Sequence, residues 1–227
     1  MKKPVVDYRE LRLSNINTPR FAHLKLLLGW VGYFVLYFLT ENLIPAERCH
    51  PIHCALDDII PFREEFAVFY VFWYLLVFGS LLYYGLYDVE SFTRLQKFII
   101  VTQVVAMACY ILYPSRQDLR PLVFPRDNAL TRLMAFIYSF DTSTGVCPSL
   151  HVGYTLGILS VAWKEKSTPR WWKYALIALT VLISLATGFV KQHSMVDVLA
   201  ALPLGLLAEW IVFRGWWETR VPAAAKK

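Results

Sequence analysis

Two histidines and an aspartate have the spacing of a catalytic relay. His193 and Asp197 are four residues apart, so on a helix their side chains share one face. A carboxylate there accepts a hydrogen bond from the imidazole Nδ1–H and leaves Nε2 free as a nucleophile or base. His151 follows Pro148-Ser149-Leu150, the pattern of a helix start, and can donate a proton to a leaving oxygen. The alternative for each is structural: a polar pair at the membrane interface, and a plain helix start.

The same part of the sequence offers groups that bind anions. Ser149 can cap the predicted helix, and free N–H groups at a helix start attract phosphate. Arg116 and Arg120 are four residues apart, and arginine forks pair bidentately with phosphate oxygens. Their alternative role is snorkelling towards lipid headgroups. The combination predicts a site for a phosphorylated substrate.

The composition places these residues in a membrane. Of 227 residues, 57% are hydrophobic and 18% are charged, against about 45–50% and 25% in an ordinary soluble domain. This excludes disorder, a disulfide-rich secreted scaffold and most soluble enzymes. A transmembrane helix needs about 20 mostly apolar residues. Six stretches approach that length: 26–44, 66–87, 98–115, 146–163, 174–190 and 198–213. The sequence predicts an all-α bundle of six transmembrane helices over residues 26–213.

The distribution of positive charge predicts the orientation. With the termini inside, 16 of the 23 Lys and Arg residues lie on the cytoplasmic side and seven outside. Residues 1–25 and 214–227 are then cytoplasmic segments, and the first helix is an uncleaved signal anchor. The net charge of +6 therefore reflects topology and does not indicate nucleic-acid binding. We expect a multi-pass protein, most simply of the plasma membrane.

All three polar segments fall on the outer face in this topology. They are Tyr113–Pro121, Cys147–His151 and Lys191–Asp197. Ionisable residues at membrane depth are costly and mark functional sites. The convergence of distant segments on one face predicts an extracytoplasmic active site.

Two further features lie in the outer loops. Cys49-His-Pro-Ile-His-Cys54 is compatible with a disulfide, with a cramped zinc site, or with free thiols. In segment 114–147, Asp127 or Asn128 can cap a short amphipathic helix. That helix can cover the site or simply pack on the bundle.

The ordered motifs resemble the type 2 phosphatidic acid phosphatase (lipid phosphate phosphatase) superfamily, whose motifs are K-x6-R-P, P-S-G-H and S-R-x5-H-x3-D. The resemblance covers residues 98–213. Tyr113 stands in place of the lysine, Leu150 replaces the glycine, and Ala186-Thr187 replace Ser-Arg. Pro-Ser-Leu-His and Lys-Gln-His are similar to the branch with inositol phosphorylceramide synthase-like members, which includes transferases.

The resemblance implies roles for the residues. His193 attacks phosphorus to form a phosphohistidine, Asp197 orients it, and His151 protonates the leaving alkoxide and then activates water or an alcohol. Arg120 and Ser149 hold the phosphoryl oxygens. Lys191 and Arg116 replace the missing cations. The family needs no metal or other cofactor, and we find no carboxylate cluster for magnesium beyond the weak pair Asp57-Asp58.

Three functions stay open at this stage. The first is a lipid phosphatase that hydrolyses a lipid phosphate or pyrophosphate monoester. The second is a lipid phosphotransferase that moves a phosphorylated headgroup to an alcohol. The third is a non-catalytic transporter or scaffold. The substrate lipid and the oligomeric state are not set by the sequence.

Overall fold

The computed structural model describes residues 4–220 and is predominantly α-helical. Residues 1–3 and 221–227, which belong to the predicted cytoplasmic segments, lie outside the described residues. The helices are α1 (Leu28–Leu43), α2 (Ala55–Ile59), α3 (Ala67–Tyr87), α4 (Val89–Leu112), α5 (Ala129–Phe140), α6 (Leu150–Lys164), α7 (Arg170–Phe189) and α8 (Met195–Arg220). Short 3-10 segments precede α1 (Ala22–Leu27) and α3 (Glu64–Phe66).

Five helices in residues 4–220 are long and apolar enough to cross a membrane. With their flanking turns they are Ala22–Leu43, Glu64–Tyr87, Val89–Leu112, Arg170–Phe189 and Met195–Gly215. The sixth predicted crossing corresponds to α6, which has 15 residues and is shorter than the others. The prediction of an all-α protein with several membrane-crossing helices is therefore confirmed.

Two helices are longer than their apolar stretches. α4 begins at Val89 rather than at residue 98, and α8 continues to Arg220. Charged residues extend a helix when they pair along its face, as Glu90 does with Arg94 four residues on. The apolar run therefore defines the part of α4 that suits the membrane but not its beginning.

α6 lies at the centre of the bundle and packs on α4, α7 and α8. Small residues allow this close approach. A Cβ at Gly157 would lie only 2.6 Å from the Phe98 ring of α4, and one at Gly205 of α8 would lie 2.7 Å from Leu156. A helix that is apolar on every side belongs in the interior, which explains how α6 is accommodated despite its length.

The connections on one end of the bundle are long and hydrogen-bonded to one another. β1 (His50–Pro51) pairs in parallel with β2 (Ser115–Arg116), so the loop before α3 is joined to the loop after α4. Arg63 N–H also donates to the carbonyl oxygen of Phe189 at 3.0 Å. The three segments 44–66, 113–149 and 190–194 thus form one layer over this end of the helices.

α5 lies within that layer and confirms the predicted amphipathic helix. Asn128 is its N-cap, and the side-chain oxygen accepts from the N–H groups of Leu130 and Thr131 at 2.9 and 3.0 Å. Met134 and Ile137 are buried on its inner face, where the helix contacts α3. The cap thereby fixes where α5 begins within the layer.

Candidate active site

His193, Asp197 and His151 form a hydrogen-bonded relay beneath the loop layer. His193 Nδ1 lies 3.1 Å from Asp197 Oδ2, and His193 Nε2 lies 3.4 Å from His151 Nδ1. Asp197 has no exposed surface, and His193 is 8% exposed. Because a carboxylate only accepts, the His193 Nδ1 carries the proton and its Nε2 presents a lone pair. The geometry suits a nucleophilic nitrogen held beside a second imidazole.

Aromatic rings surround His151. Its ring centroid lies 4.1 Å from that of Trp73 and 4.6 Å from that of Tyr70, both on α3. His151 Nε2 is buried and has no hydrogen-bond partner. A ring protonated on Nδ1 leaves only this acceptor unpaired, which costs less than an unpaired N–H donor. This tautomer lets His151 Nδ1–H donate to His193 Nε2.

The end of α7 aims His193 at the relay. Lys191 adopts a left-handed conformation with φ 53°, and the N–H groups of Gln192 and His193 both donate to the carbonyl oxygen of Thr187. A left-handed residue that closes a helix this way reverses the chain within one turn. Such a conformation costs a non-glycine residue about 1–2 kcal/mol, so it needs support from its surroundings.

That support comes from the loop before α3. Lys191 Nζ donates to the backbone carbonyl oxygens of Asp57 and Ile60, the first at 2.8 Å. Burial lowers the pKa of the Lys191 ammonium. In the structure this side chain anchors the helix end and does not line the cavity beside the histidines, so it is not in the place expected of a phosphate ligand.

Asp57 holds the start of α8. Its carboxylate accepts from Ser194 Oγ at 2.5 Å, from Met195 N–H at 2.8 Å and from Cys54 N–H at 2.8 Å. Burial alone would raise the pKa of Asp57, but these hydrogen bonds outweigh it and place the pKa below its ordinary value. The carboxylate therefore fixes the turn between His193 and Asp197.

Ser149 stands at the junction of α6 and α8. It is the N-cap of α6, is fully buried, and its N–H donates to the carbonyl oxygen of Asp197 at 3.1 Å. Its hydroxyl has no hydrogen-bond partner. A buried, unpaired hydroxyl is costly. Ser149 itself does not line the cavity, but the next two residues, Leu150 and His151, do.

Arg120 approaches the relay through Gln192. Its Nη2 donates to Gln192 Oε1 at 2.5 Å and to the carbonyl oxygens of Asp141 and Thr142 at 2.7 and 2.8 Å. The guanidinium also lies 4.5 Å above the Tyr138 ring. Arg120 thus contacts Gln192, the residue before His193, and its guanidinium is held in place by these three oxygen acceptors.

Asp141 and Gln192 belong to the site and were not predicted. Asp141 Oδ2 accepts from Gln192 Nε2 at 2.7 Å and from the Tyr70 hydroxyl at 3.0 Å. Burial raises the pKa of the Asp141 carboxyl, against the effects of Tyr70, His193 and Arg120. Its only sequence signal was a charge at the end of the amphipathic helix, which does not distinguish a buried acid from an exposed one.

Arg116 lies away from the relay. Its guanidinium contacts Asp118 and donates to the carbonyl oxygens of Ala46 and Cys49 at 2.9 and 3.2 Å. It therefore ties the outer loops together beside the β1–β2 pair. None of the four predicted phosphate ligands lines the cavity at the histidines: Arg116, Arg120, Ser149 and Lys191 all lie behind its wall.

The cysteines of the outer loop are free thiols. Cys49 is buried, Cys54 is partly buried, and neither forms the disulfide considered above. No group of three or more His, Cys, Asp or Glu residues that could hold a metal ion occurs among residues 4–220.

A cavity of about 550 Å³ opens beside the relay. His151, His193 and Gln192 lie at one end, together with Asp141 and Thr142. The rest of the wall comes from α1, α3, α4 and α6 and is mostly aromatic or aliphatic. The site therefore combines a polar end that can hold an anion with a long apolar chamber.

The chain has no match among protein-family models, curated proteins or solved structures.

Proposed function

We propose that the protein is a membrane lipid phosphatase that hydrolyses a lipid phosphate or pyrophosphate monoester through a phosphohistidine. One observation carries the proposal: the Asp197–His193–His151 relay ends at the polar end of an otherwise apolar cavity. A nucleophilic imidazole beside an acid–base imidazole suits phosphoryl transfer, and the apolar chamber suits a lipid. The motif resemblance points to the same chemistry, with residues 98–213 as the catalytic core.

In the first step, His193 Nε2 attacks the phosphorus of the bound headgroup. A bond forms between Nε2 and phosphorus while the bond from phosphorus to the lipid oxygen breaks. Binding of the anion favours the protonated His151 ring, whose Nδ1–H gives its proton to the departing oxygen. His193 becomes a positively charged phosphoimidazole, and the Asp197 carboxylate at 3.1 Å stabilises that charge.

In the second step, water resolves the intermediate. His151, now neutral, accepts a proton from a water molecule whose oxygen attacks phosphorus. The bond between phosphorus and Nε2 breaks, inorganic phosphate leaves, and His193 returns to its starting form. Both steps take place between His193 Nε2 and His151 Nδ1, which lie 3.4 Å apart before the phosphoryl group enters between them.

The phosphoryl oxygens need donors near the relay. The unpaired Ser149 hydroxyl and the first N–H groups of α6 are such donors. Of the predicted cations, Arg120 is the one whose guanidinium contacts a residue of the polar end of the cavity, Gln192. Asp141 assists while it is protonated, because a neutral carboxyl does not repel the phosphate.

We further propose that α6 is the sixth membrane crossing, that both termini are cytoplasmic and that the site faces the extracytoplasmic side. The support is the charge bias of the sequence, because this topology assigns 16 of the 23 Lys and Arg residues to the cytoplasmic side. The plasma membrane is the simplest location for such a protein.

A second candidate is a lipid phosphotransferase. Thr142 and Thr144 line the polar end of the cavity beside Asp141, and hydroxyl and carboxyl groups there can bind an alcohol acceptor. The first step is then unchanged, and an alcohol replaces water in the second. A labelled lipid donor offered with candidate alcohols separates the two activities, because a transferase yields a new phosphodiester and little free phosphate.

The experiment that tests the proposal measures phosphate release from a panel of lipid phosphates. The His193→Ala enzyme, purified in detergent, should release no phosphate above background. The matched control is His53→Ala, because His53 is an exposed histidine of the outer loops that contacts Asp58 instead of the relay. Full release by His193→Ala would overturn the proposal, and so would equal losses in both variants. Binding of lipid phosphate by wild type without turnover would favour a transporter or scaffold.

A further inference from the structure

The apolar chamber lies between two helices that reach the lipid bilayer. α1 packs on α4, and none of the α1 side chains is buried. The cavity separates the inner face of α1 from α3. Trp30 and Phe34 line it from α1, and Val77, Phe78 and Leu81 line it from α3. We call this chamber the tail cleft.

The tail cleft changes character along its length. Its upper end carries His151, His193 and the neighbouring polar groups. Below Trp73 and Tyr74, the α3 wall continues as Val77, Phe78 and Leu81, which have no polar atoms in their side chains. An amphiphile with its anionic group at the histidines and a hydrocarbon below matches this distribution. A wholly polar substrate would leave the lower part without a favourable partner.

The length of the tail cleft matches an extended hydrocarbon chain. From Trp73 to Leu81 along α3, and from Tyr37 to Leu27 beside α1, the lining spans about 12–15 Å at ~1.5 Å per residue. Half of a ~30 Å hydrocarbon core is also about 15 Å. A hydrocarbon chain that extends through one leaflet therefore fits the cleft along its length.

We propose that the tail cleft binds a hydrocarbon chain of the phosphorylated substrate, extended by about one leaflet from the histidines to Leu81. This rests on the proposed function for the identity of the headgroup. The substrate class is a phosphate or pyrophosphate ester that places a linear chain between α1 and α3.

A filled cleft floor tests the proposal. Leu81→Trp places an indole at the lower end and displaces roughly two methylene groups of a long chain. We expect kcat/KM for hexadecyl phosphate to fall about tenfold, while kcat/KM for hexyl phosphate, which does not reach the floor, changes less than twofold. The control is Leu82→Trp, because Leu82 is the next residue, is 53% exposed and does not line the cleft. It should leave both values unchanged.

Binding separates this proposal from the phosphatase proposal. Hexadecyl phosphonate has a P–C bond in place of the ester, so its binding to the detergent-purified protein is measured by calorimetry without turnover. Leu81→Trp should weaken this binding about tenfold and leave hexyl phosphonate binding unchanged. If both hold while wild type releases no phosphate, the tail cleft stands and the phosphatase proposal fails. If Leu81→Trp and Leu82→Trp bind hexadecyl phosphonate equally, the tail cleft proposal is overturned.

A second substitution guards against a folding defect. Leu81→Ala removes side-chain volume at the same position and lengthens the cleft. The ratio of kcat/KM values for tetradecyl over dodecyl phosphate should rise above that of wild type, because these chains end near the floor. An unchanged ratio would count against Leu81 as the floor.

Discussion

Replacement of Asp197 by asparagine probes the charge behind the nucleophile. The variant keeps the size of the side chain and an oxygen for His193 Nδ1–H, but it removes the negative charge. That charge lies 3.1 Å from His193 in a position with no exposed surface. At ~4 Å between charge centres and an effective dielectric constant of about 20, the carboxylate stabilises a positively charged imidazole by about 4 kcal/mol. We therefore expect kcat to fall about 10³-fold.

The assay is steady-state phosphate release in detergent, normalised to folded protein by gel filtration. KM should change little, because Asp197 does not line the cavity. The control is Asp127→Asn, because Asp127 is an exposed aspartate whose partner is Arg132; this variant should keep full activity. If Asp197→Asn retained more than a tenth of the wild-type kcat while remaining folded, the electrostatic account of the relay would be refuted.

Three further predictions concern the surroundings of the relay. Asp57→Asn should lower the melting temperature at neutral pH, because the carboxylate accepts three hydrogen bonds and loss of one charged acceptor costs about 1.5–3 kcal/mol. The pKa of Asp57 is lowered in the fold, so its carboxylate stabilises the protein above the ordinary aspartate pKa of about 4, and this stabilisation is lost as the pH falls. The melting temperatures of wild type and variant should therefore converge in acid. A difference that stays constant across pH would contradict this. Arg120→Lys should lower kcat about 10²-fold, because one ammonium group cannot replace the several donors of a guanidinium. Arg116→Lys should leave kcat unchanged. Equal losses in the two variants would show that Arg120 has no specific role in the reaction. The pKa of Asp141 is raised, so its negative charge appears only as the pH rises through that pKa. The KM of wild type should therefore increase with pH, because the charged carboxylate repels the phosphate, whereas the KM of Asp141→Asn should not. Phosphate release measured across pH tests this.

The parts of the fold that depend on local pattern could be predicted from the sequence. Apolar stretches identify the five long helices, and Asn128 correctly marks the start of α5. The spacing of His193 and Asp197 predicts that the two residues meet, and they do hydrogen-bond. His193 lies in the turn before α8, however, so this contact depends on the turn that Asp57 holds and not on helix geometry alone.

The directions of the cations could not be predicted. Lys191 and Arg116 stand near the expected positions in sequence, yet both side chains bind backbone carbonyl oxygens of the loop before α3. The left-handed conformation of Lys191 turns the chain, and the loop 44–66 supplies acceptors more than 100 residues away in sequence. A motif gives the type and order of residues but not which acceptor lies nearest after folding.

The position of Asp141 at the cavity could not be predicted for a similar reason. Asp141 becomes a site residue only because Tyr70 approaches it from α3 and Gln192 approaches it from the end of α7. Its burial depends on how α5 packs against α3, a contact between segments far apart in the chain. The tail cleft depends equally on tertiary packing, since it is the space that α1 leaves beside α3.

The most direct test of the central claim is a search for the phosphoenzyme. Wild-type protein is mixed with a lipid phosphate labelled with ³²P, quenched in alkali within one turnover, digested and mapped by mass spectrometry. The account predicts an acid-labile, alkali-stable label on His193, absent from His193→Ala and longer-lived in His151→Ala, which lacks the base for the second step. Phosphate release without any labelled histidine, or a label at another residue, would contradict it.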